Sequence, residues 1–184
     1  MQVKLTPIQG LLIVEPLVFD DERGYFFETY QFEKYAEKGI STTFLQDNES
    51  KSGRGVVRGL HYQLNPYAQA KLVRVVQGSV FDVAVDLRKG SPTFGKWFGV
   101  ELSGVNKKQL FIPKGFAHGF SVLSETAVFA YKCDEKYNKG AERSIQLADK
   151  KLNIDWKIPG EEWIVSEKDS MAPPFEQAEM NFSF

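Results

Sequence analysis

The chain has 184 residues, enough for one domain that buries about 70% of its unfolded surface without covalent staples. Its 23 basic and 24 acidic residues nearly cancel, so no global field draws it toward nucleic acid or an anionic membrane. A single cysteine, Cys133, excludes an intrachain disulfide framework, and no apolar run approaches the roughly 18 residues needed to span a bilayer. The opening Met1-Gln2-Val3-Lys4-Leu5 lacks a charged-then-apolar signal pattern, which together with the lone cysteine reads as a cytoplasmic protein.

Next in chain order, Arg23-Gly24-Tyr25-Phe26-Phe27-Glu28 reads as a surface hairpin. Phe32, Tyr35 and Ala36 sit at helical spacing, with Gly39 as the stop. Gln46-Asp47-Asn48 reads as a turn. Leu72 to Val76 forms a strand, Gln77-Gly78-Ser79 a tight turn, and Phe81, Val83, Val85 and Leu87 then alternate with Val80, Asp82, Ala84 and Asp86. Gly99 to Leu102, Gln109 to Ile112, His118 to Leu123 and Ala127 to Cys133 repeat the pattern. Turns every 8–12 residues or so point to a sandwich or barrel. A short turn covers Asp149 to Leu152. The last thirty residues or so, with Trp156, Trp163 and Pro173-Pro174, are irregular but too aromatic for a free tail, so they pack back on the barrel. The expected fold is all-β, antiparallel and single-domain over 1–184. Its barrel core spans about 40–135 and its C-terminal packing segment about 145–184.

Arg58-Gly59-Leu60-His61-Tyr62-Gln63 is the most informative stretch. It sets one of only two histidines behind an arginine, with Lys71 ten residues on. A proton acceptor that titrates near neutrality beside two cations suits a phosphorylated substrate that loses a carbon-bound proton. Taken alone, His61 reads more often as a hydrogen-bonded structural histidine than as a base, while Tyr131 reads equally as a core aromatic at the barrel rim and His118 as a turn residue satisfying backbone groups. Ser166-Glu167-Lys168-Asp169 fits a capping box, although Met171-Ala172-Pro173-Pro174 leaves little helix to cap. Pro113-Lys114-Gly115-Phe116-Ala117-His118 resembles the second half-motif of cupins, which makes the barrel a cupin-like jelly roll with a few short helices. At the first half-motif only His61 stands, with Gln63 where a second histidine would be. Two histidines and one cysteine cannot build a three-His site, so no metal and no other cofactor is expected.

Taken together, eight blocks resemble the nucleotide-sugar 3,5-epimerases that convert dTDP-4-dehydro-6-deoxyglucose to the 4-dehydrorhamnose isomer. They are Arg23–Glu28, Gln46–Ser50, Arg58–Gln63, Lys71–Val75, Phe81–Arg88, Pro113–Phe120, Tyr131-Lys132 and Ser166–Asp169. The resemblance implies that His61 is the base for the C3 and C5 protons, Asp169 its orienting carboxylate, Lys71 the cation at the C4 oxygen and Tyr131 the opposing acid. It implies that Arg23 and Arg58 hold the diphosphate and that Glu28, Gln46 and Asn48 line the thymidine end. Tyr137 would stack on the base, and His118, Glu142 and Lys168 would complete the pocket. It also implies a homodimer, with the N-terminal strand segment crossing to the partner. Leu147-Ala148-Asp149-Lys150 and Trp156-Lys157 depart from the family's blocks, which questions tail packing more than catalysis. The competing readings are an epimerase that inverts only C3 or only C5, a noncatalytic sugar-nucleotide binding module, and a metal-dependent cupin oxygenase.

Overall fold

Two antiparallel sheets face each other in a computed structural model that describes all 184 residues, Met1–Phe184. In chain order the strands are β1 (Gln2–Leu5), β2 (Leu12–Glu15), β3 (Phe19–Asp21), β4 (Gly24–Phe26), β5 (Gln46–Gly53), β6 (Val57–Gln63) and β7 (Lys71–Gln77). They continue with β8 (Ser79–Asp86), β9 (Trp97–Ser103), β10 (Gln109–Ile112), β11 (Phe116–Val122), β12 (Thr126–Cys133) and β13 (Glu142–Ser144). Two short helices, α1 (Phe32–Ala36) and α2 (Glu167–Ser170), complete the regular structure. One sheet runs β1-β2-β10-β7-β12-β5, the other β13-β6-β11-β8-β9, and β3 and β4 form a separate hairpin. This is the cupin-like jelly roll that the strand spacing and the half-motif lead one to expect.

The two-residue period decides which side chains enter the lumen. Val73 and Val75 of β7, Phe129 of β12, Val80 and Ala84 of β8, and Phe116 and Phe120 of β11 converge between the sheets in one buried cluster. The opposite face of the second sheet is buried as well: Val57, Leu60, Tyr62, Phe81, Val83 and Val85 pack under Trp156, Phe175 and Phe182 of the C-terminal segment. The outer face of the first sheet is covered in part by Tyr35 of α1 and Ile40, which pack on Leu72 and Phe111. Both faces of β8 are therefore dry, which is why that strand mixes apolar residues on both alternations.

The C-terminal segment does pack back on the barrel despite its departures from the family blocks. Trp156 is 1% exposed, donates from Nε1 to the Leu147 carbonyl, and its own carbonyl accepts from Ser121 Oγ on β11. Asp149 accepts from the Lys151, Leu152 and Phe175 amides, closing the expected turn and clamping the segment that follows. Parallel bridges Val56–Ile164 and Lys89–Ser183 complete the attachment.

Two readings need correction. Gln46-Asp47-Asn48 is not a turn but the start of β5, paired with β12 through Gln46–Cys133 and Asn48–Tyr131. Its lumen-facing Gln46, Asn48 and Ser52 and its outward Asp47, Glu49 and Lys51 are all polar, so no hydrophobic alternation marks it. His118 lies inside β11 rather than in a turn, because Phe116 and Phe120 on either side continue the lumen-facing alternation.

Trp156 should be the main fastener of the tail. Trp156→Ala is expected to lose about 3–5 kcal/mol of stability by cavity formation, measured as a shifted urea midpoint. Activity should fall with it, since Asp169 travels on the same segment.

Candidate functional site

Gly59 sets the geometry of the site. It has φ of +133°, and a Cβ there would stand 2.6 Å from the Gly119 Cα, so the strand can take this course only with glycine at both places. Across the ladder Arg58 faces Phe120 and His61 faces His118, so three residues on β6 match two on β11. That one-residue slip puts Arg58 and His61 on the same, lumen-facing side of a strand where regular alternation would oppose them.

His61 reaches a pocket of about 150 Å³ at the open end of the lumen, lined also by Gln46, Asn48, Gln63, Lys71, Tyr131, Cys133, Tyr137 and Glu142. Its Nε2 lies 2.6 Å from Asp169 Oδ1, which leaves Nδ1 as the nitrogen free for a ligand. Asp169 sits in α2, whose amide at that residue donates to the Ser166 side chain at 3.1 Å. The capping that looked weak from sequence is therefore present, on a helix of only four residues, and it aims the carboxylate at the imidazole. Burial works upward on Asp169, but its pairing with the His61 ring, the Gly59 amide and the Ser166 hydroxyl outweigh that and hold its carboxyl below the usual range.

Lys71 heads β7, on the opposite sheet. Its ammonium makes no ion pair and stands 5.9 Å from the centre of the Tyr131 ring. Burial lowers its pKa, with the fields of Cys133, Asp82 and Glu142 working upward against it. Tyr131 is pushed up by burial, aided by Cys133 and Glu142 and opposed by Arg58, so its hydroxyl keeps its proton at neutral pH. Burial also pushes the Cys133 thiol up to about 11, so it leaves Lys71 without a counter-ion.

The remaining residues form a second tier. Tyr137, more than half exposed, donates its hydroxyl to Glu142 Oε2 at 2.9 Å, and its amide meets Gln46 Oε1 at 3.4 Å. Glu142 also takes the Lys168 ammonium. Burial works upward on Glu142, but the hydrogen bonds from Lys168 and Tyr137 lower it overall. Lys168 and Asp169 thus tie α2 to β13 and β6 side by side. Gln46 Nε2 donates to Asn48 Oδ1 at 2.9 Å, and Arg58 Nε donates to Ser52 Oγ at 3.1 Å across to the other sheet.

Three expected residues lie elsewhere. Arg23 is at the tip of the β3–β4 hairpin, 85% exposed and bound to Asp21, and Glu28 pairs with Lys34 of α1. Neither reaches the pocket of its own chain, because the hairpin lies against the β9–β10 loop, with Lys107 Nζ 3.6 Å from the centre of the Tyr25 ring. His118 is in the lumen but not on the pocket wall: its Nε2 takes the Asp82 carboxylate instead of the backbone groups a turn would offer. Sequence reasoning missed Gln63 as a working residue. Buried, it donates to the Tyr67 and Lys136 carbonyls and accepts from the Asn138 amide, anchoring the loop that carries Tyr137. Its place at the vacant histidine position was the available signal. No cluster of three or more His, Cys, Asp or Glu side chains is arranged to hold a metal ion.

A carboxylate-backed imidazole on one sheet, facing a desolvated ammonium and a protonated phenol on the other, belongs to the isomerases that move protons next to a carbonyl. The family model described as dTDP-4-dehydrorhamnose 3,5-epimerase matches residues 5–177. A dTDP-4-dehydrorhamnose 3,5-epimerase of Shigella flexneri is 55% identical over 180 residues, 97% of this chain and 98% of the relative. The Legionella pneumophila enzyme, solved with dTDP-4-keto-L-rhamnose, superposes with a TM-score of 0.92 at 52% identity over 96% of this chain and 93% of its own. A 3'-monoepimerase of Streptomyces bikiniensis in complex with dTDP-quinovose is more distant, with a TM-score of 0.84 at 32% identity over 92% and 85% of the two chains. The chain belongs to the dTDP-4-dehydrorhamnose 3,5-epimerase family.

The Asp169 tether has a definite pH signature. A carboxyl whose folded pKa is lowered adds stability that is complete above its unfolded pKa, about 4, and is lost as pH falls through the folded value. The urea-midpoint difference between wild type and Asp169→Asn should therefore be constant from neutrality to about pH 4 and shrink below it.

Proposed function

We propose that this site inverts C3 and C5 of dTDP-4-dehydro-6-deoxy-D-glucose, giving dTDP-4-dehydro-L-rhamnose, by proton abstraction next to the C4 ketone. The observation that carries this reading is the opposition of His61–Asp169 on β6 to Lys71 and Tyr131 on β7 and β12 across one pocket. Both carbons are alpha to the ketone, so their protons are acidic enough for an imidazole base. His61 Nδ1 takes the proton while Asp169 fixes the tautomer and supports the charged ring. The Lys71 ammonium, in no ion pair, stabilises the enolate at the C4 oxygen, where a preorganised donor in a dry site counts most. Tyr131 returns a proton from the other face, and two faces are what inversion requires.

The pocket has room for about one sugar ring, so the nucleotide lies across its mouth. There Arg58 meets the diphosphate as a guanidinium fork, Tyr137 stacks on the base, and Gln46, Asn48, Glu142 and Lys168 edge the nucleoside side. Arg23 and Glu28 enter only if the enzyme is a homodimer in which each hairpin reaches the other copy's pocket. Exposed Leu17, Phe19, Tyr25 and Phe26 on and beside the hairpin supply the apolar surface for such a contact. No helix is long and apolar enough to cross a membrane. The buried free thiol and the nucleotide-sugar substrate suit a cytoplasmic enzyme working without a cofactor.

Turnover in deuterium oxide should label both C3 and C5 of the 4-keto sugar, read by mass spectrometry and proton NMR. Label at one carbon only would instead assign a single epimerisation. His61→Ala should lower exchange by about 10²–10⁴-fold while dTDP still binds, and undiminished turnover would remove His61 from the role of base. The dimer reading predicts complementation. Arg23→Ala and His61→Ala are each expected to be impaired, while an equimolar mixture after subunit exchange recovers about a quarter of wild-type activity. That is the yield when half the dimers carry one intact site.

A further inference from the structure

The chain's second imidazole is held in the same way as the first. His118 stands on β11 directly across from His61, its ring stacked at 25° on Phe129. Its Nε2 lies 3.0 and 2.9 Å from the two oxygens of Asp82. Asp82 is fully buried on β8, between lumen-facing Val80 and Ala84, and its carboxylate has no other hydrogen-bond partner. A carboxylate in such an apolar wall is costly, and a residue serving packing alone would resemble its neighbours. Nor is the pair sealed. Every fully buried side-chain nitrogen or oxygen in the molecule has a partner, and His118 Nδ1 has none, so Nδ1 keeps an opening to the lumen into which Lys71 also projects.

We propose that Asp82 is a positioning residue for the reaction: it holds His118 by Nε2–H, so that Nδ1 is presented to the sugar ring from the floor of the lumen, alongside Lys71. The inference rests on reading the pocket as the sugar site. Asp82 touches no substrate: it fixes which nitrogen of His118 the ring meets and in what orientation, and because its field also favours the charged form of Lys71, the His118 tautomer is the readout that separates the two effects. An asparagine of the same shape offers an oxygen or an amide to Nε2 with equal ease and so no longer selects the tautomer.

The test is Asp82→Asn, assayed for deuterium exchange and for dTDP binding, with nitrogen NMR of the imidazoles. The chain has only two histidines, so His61→Asn assigns both spectra. Expected are a kcat lowered by about tenfold or more, KM and dTDP affinity within about twofold, and a His118 signal that changes from one Nε2–H tautomer to a mixture. Wild-type kcat in the folded variant, or an unchanged His118 tautomer, would overturn the proposal. Should Asp82→Asn not fold, the wild-type spectrum decides: a His118 Nδ1 signal that moves on addition of the dTDP-sugar, but not of dTDP alone, supports the role, and one that stays in place overturns it. The two readings fail separately. Absence of exchange in wild type would remove the epimerase reading, whereas exchange equal in wild type and variant would remove only the role of Asp82.

Discussion

This fold buries carboxylates only where a partner meets them, and the partnering decides where reactivity is left over. Asp86 is held by Arg88, Ser91 and Thr93, Asp149 by three backbone amides, Asp82 by His118 and Asp169 by His61. Lys71 is the exception, a half-buried ammonium with no acceptor. An unpaired cation in low dielectric is unfavourable in the resting protein, and in the role proposed for Lys71 that same condition would make it effective toward an oxygen that gains negative charge during reaction. A carboxylate in place of the neutral Cys133 thiol would relieve the cost and remove the effect. The site therefore depends on a thiol that stays uncharged beside Lys71.

The second dependence is mechanical. His61 belongs to the barrel, but the carboxylate that orients it arrives from residue 169, 108 positions later. Nothing in the strand ladders carries it there. The chain after β13 is fastened to the outer face of the sheet by Trp156, Asp149 and Phe175, and that attachment is what places α2 so that Asp169 meets His61. Fold stability and base orientation are thus coupled along one irregular segment. The Lys168–Glu142 pair beside it links that segment to Tyr137 as well, so Tyr137 and His61 share a support.

What could be read from the sequence follows from which forces leave a local trace. Strands β7, β8, β10 and β12 bury one face or both against apolar neighbours, and their alternation is visible in Leu72–Val76, Phe81–Leu87 and Ala127–Cys133. β5 has no such trace, since its inner face lines a polar pocket and its outer face is solvated. The blocks bearing His61, Lys71, Tyr131 and Asp169 were legible through their resemblance to a family. Their convergence was not, because it depends on a one-residue slip at Gly59 and on a distant segment. Arg23 and Glu28 show the opposite limit: they are recognisable in sequence, yet one folded chain does not bring them to its own pocket.

A two-sheet barrel suits inversion at carbon for a geometric reason. Facing sheets stand about 10 Å apart, roughly the thickness of a sugar ring with a hydrogen-bonding atom on either side. His61 comes from the β6 sheet, whereas Lys71 and Tyr131 come from adjacent strands of the other, in cross-strand contact through the β7–β12 ladder. Under the roles proposed for His61 and Tyr131, a ring entering edge-on would meet the base on one face and the acid on the other without either strand moving. The Cys133–Lys71 and Tyr131–Val73 registers of the ladder place the cation and the acid on the same wall, two residues apart along β12. In the proposed reaction one enolate would be held by Lys71 while Tyr131 approaches its carbon. A barrel that instead spent its lumen-facing histidines on a common ligand would converge them on a point. Here each is tied to its own carboxylate on Nε2, so the two imidazoles, side by side on β6 and β11, leave Nδ1 as the free atom.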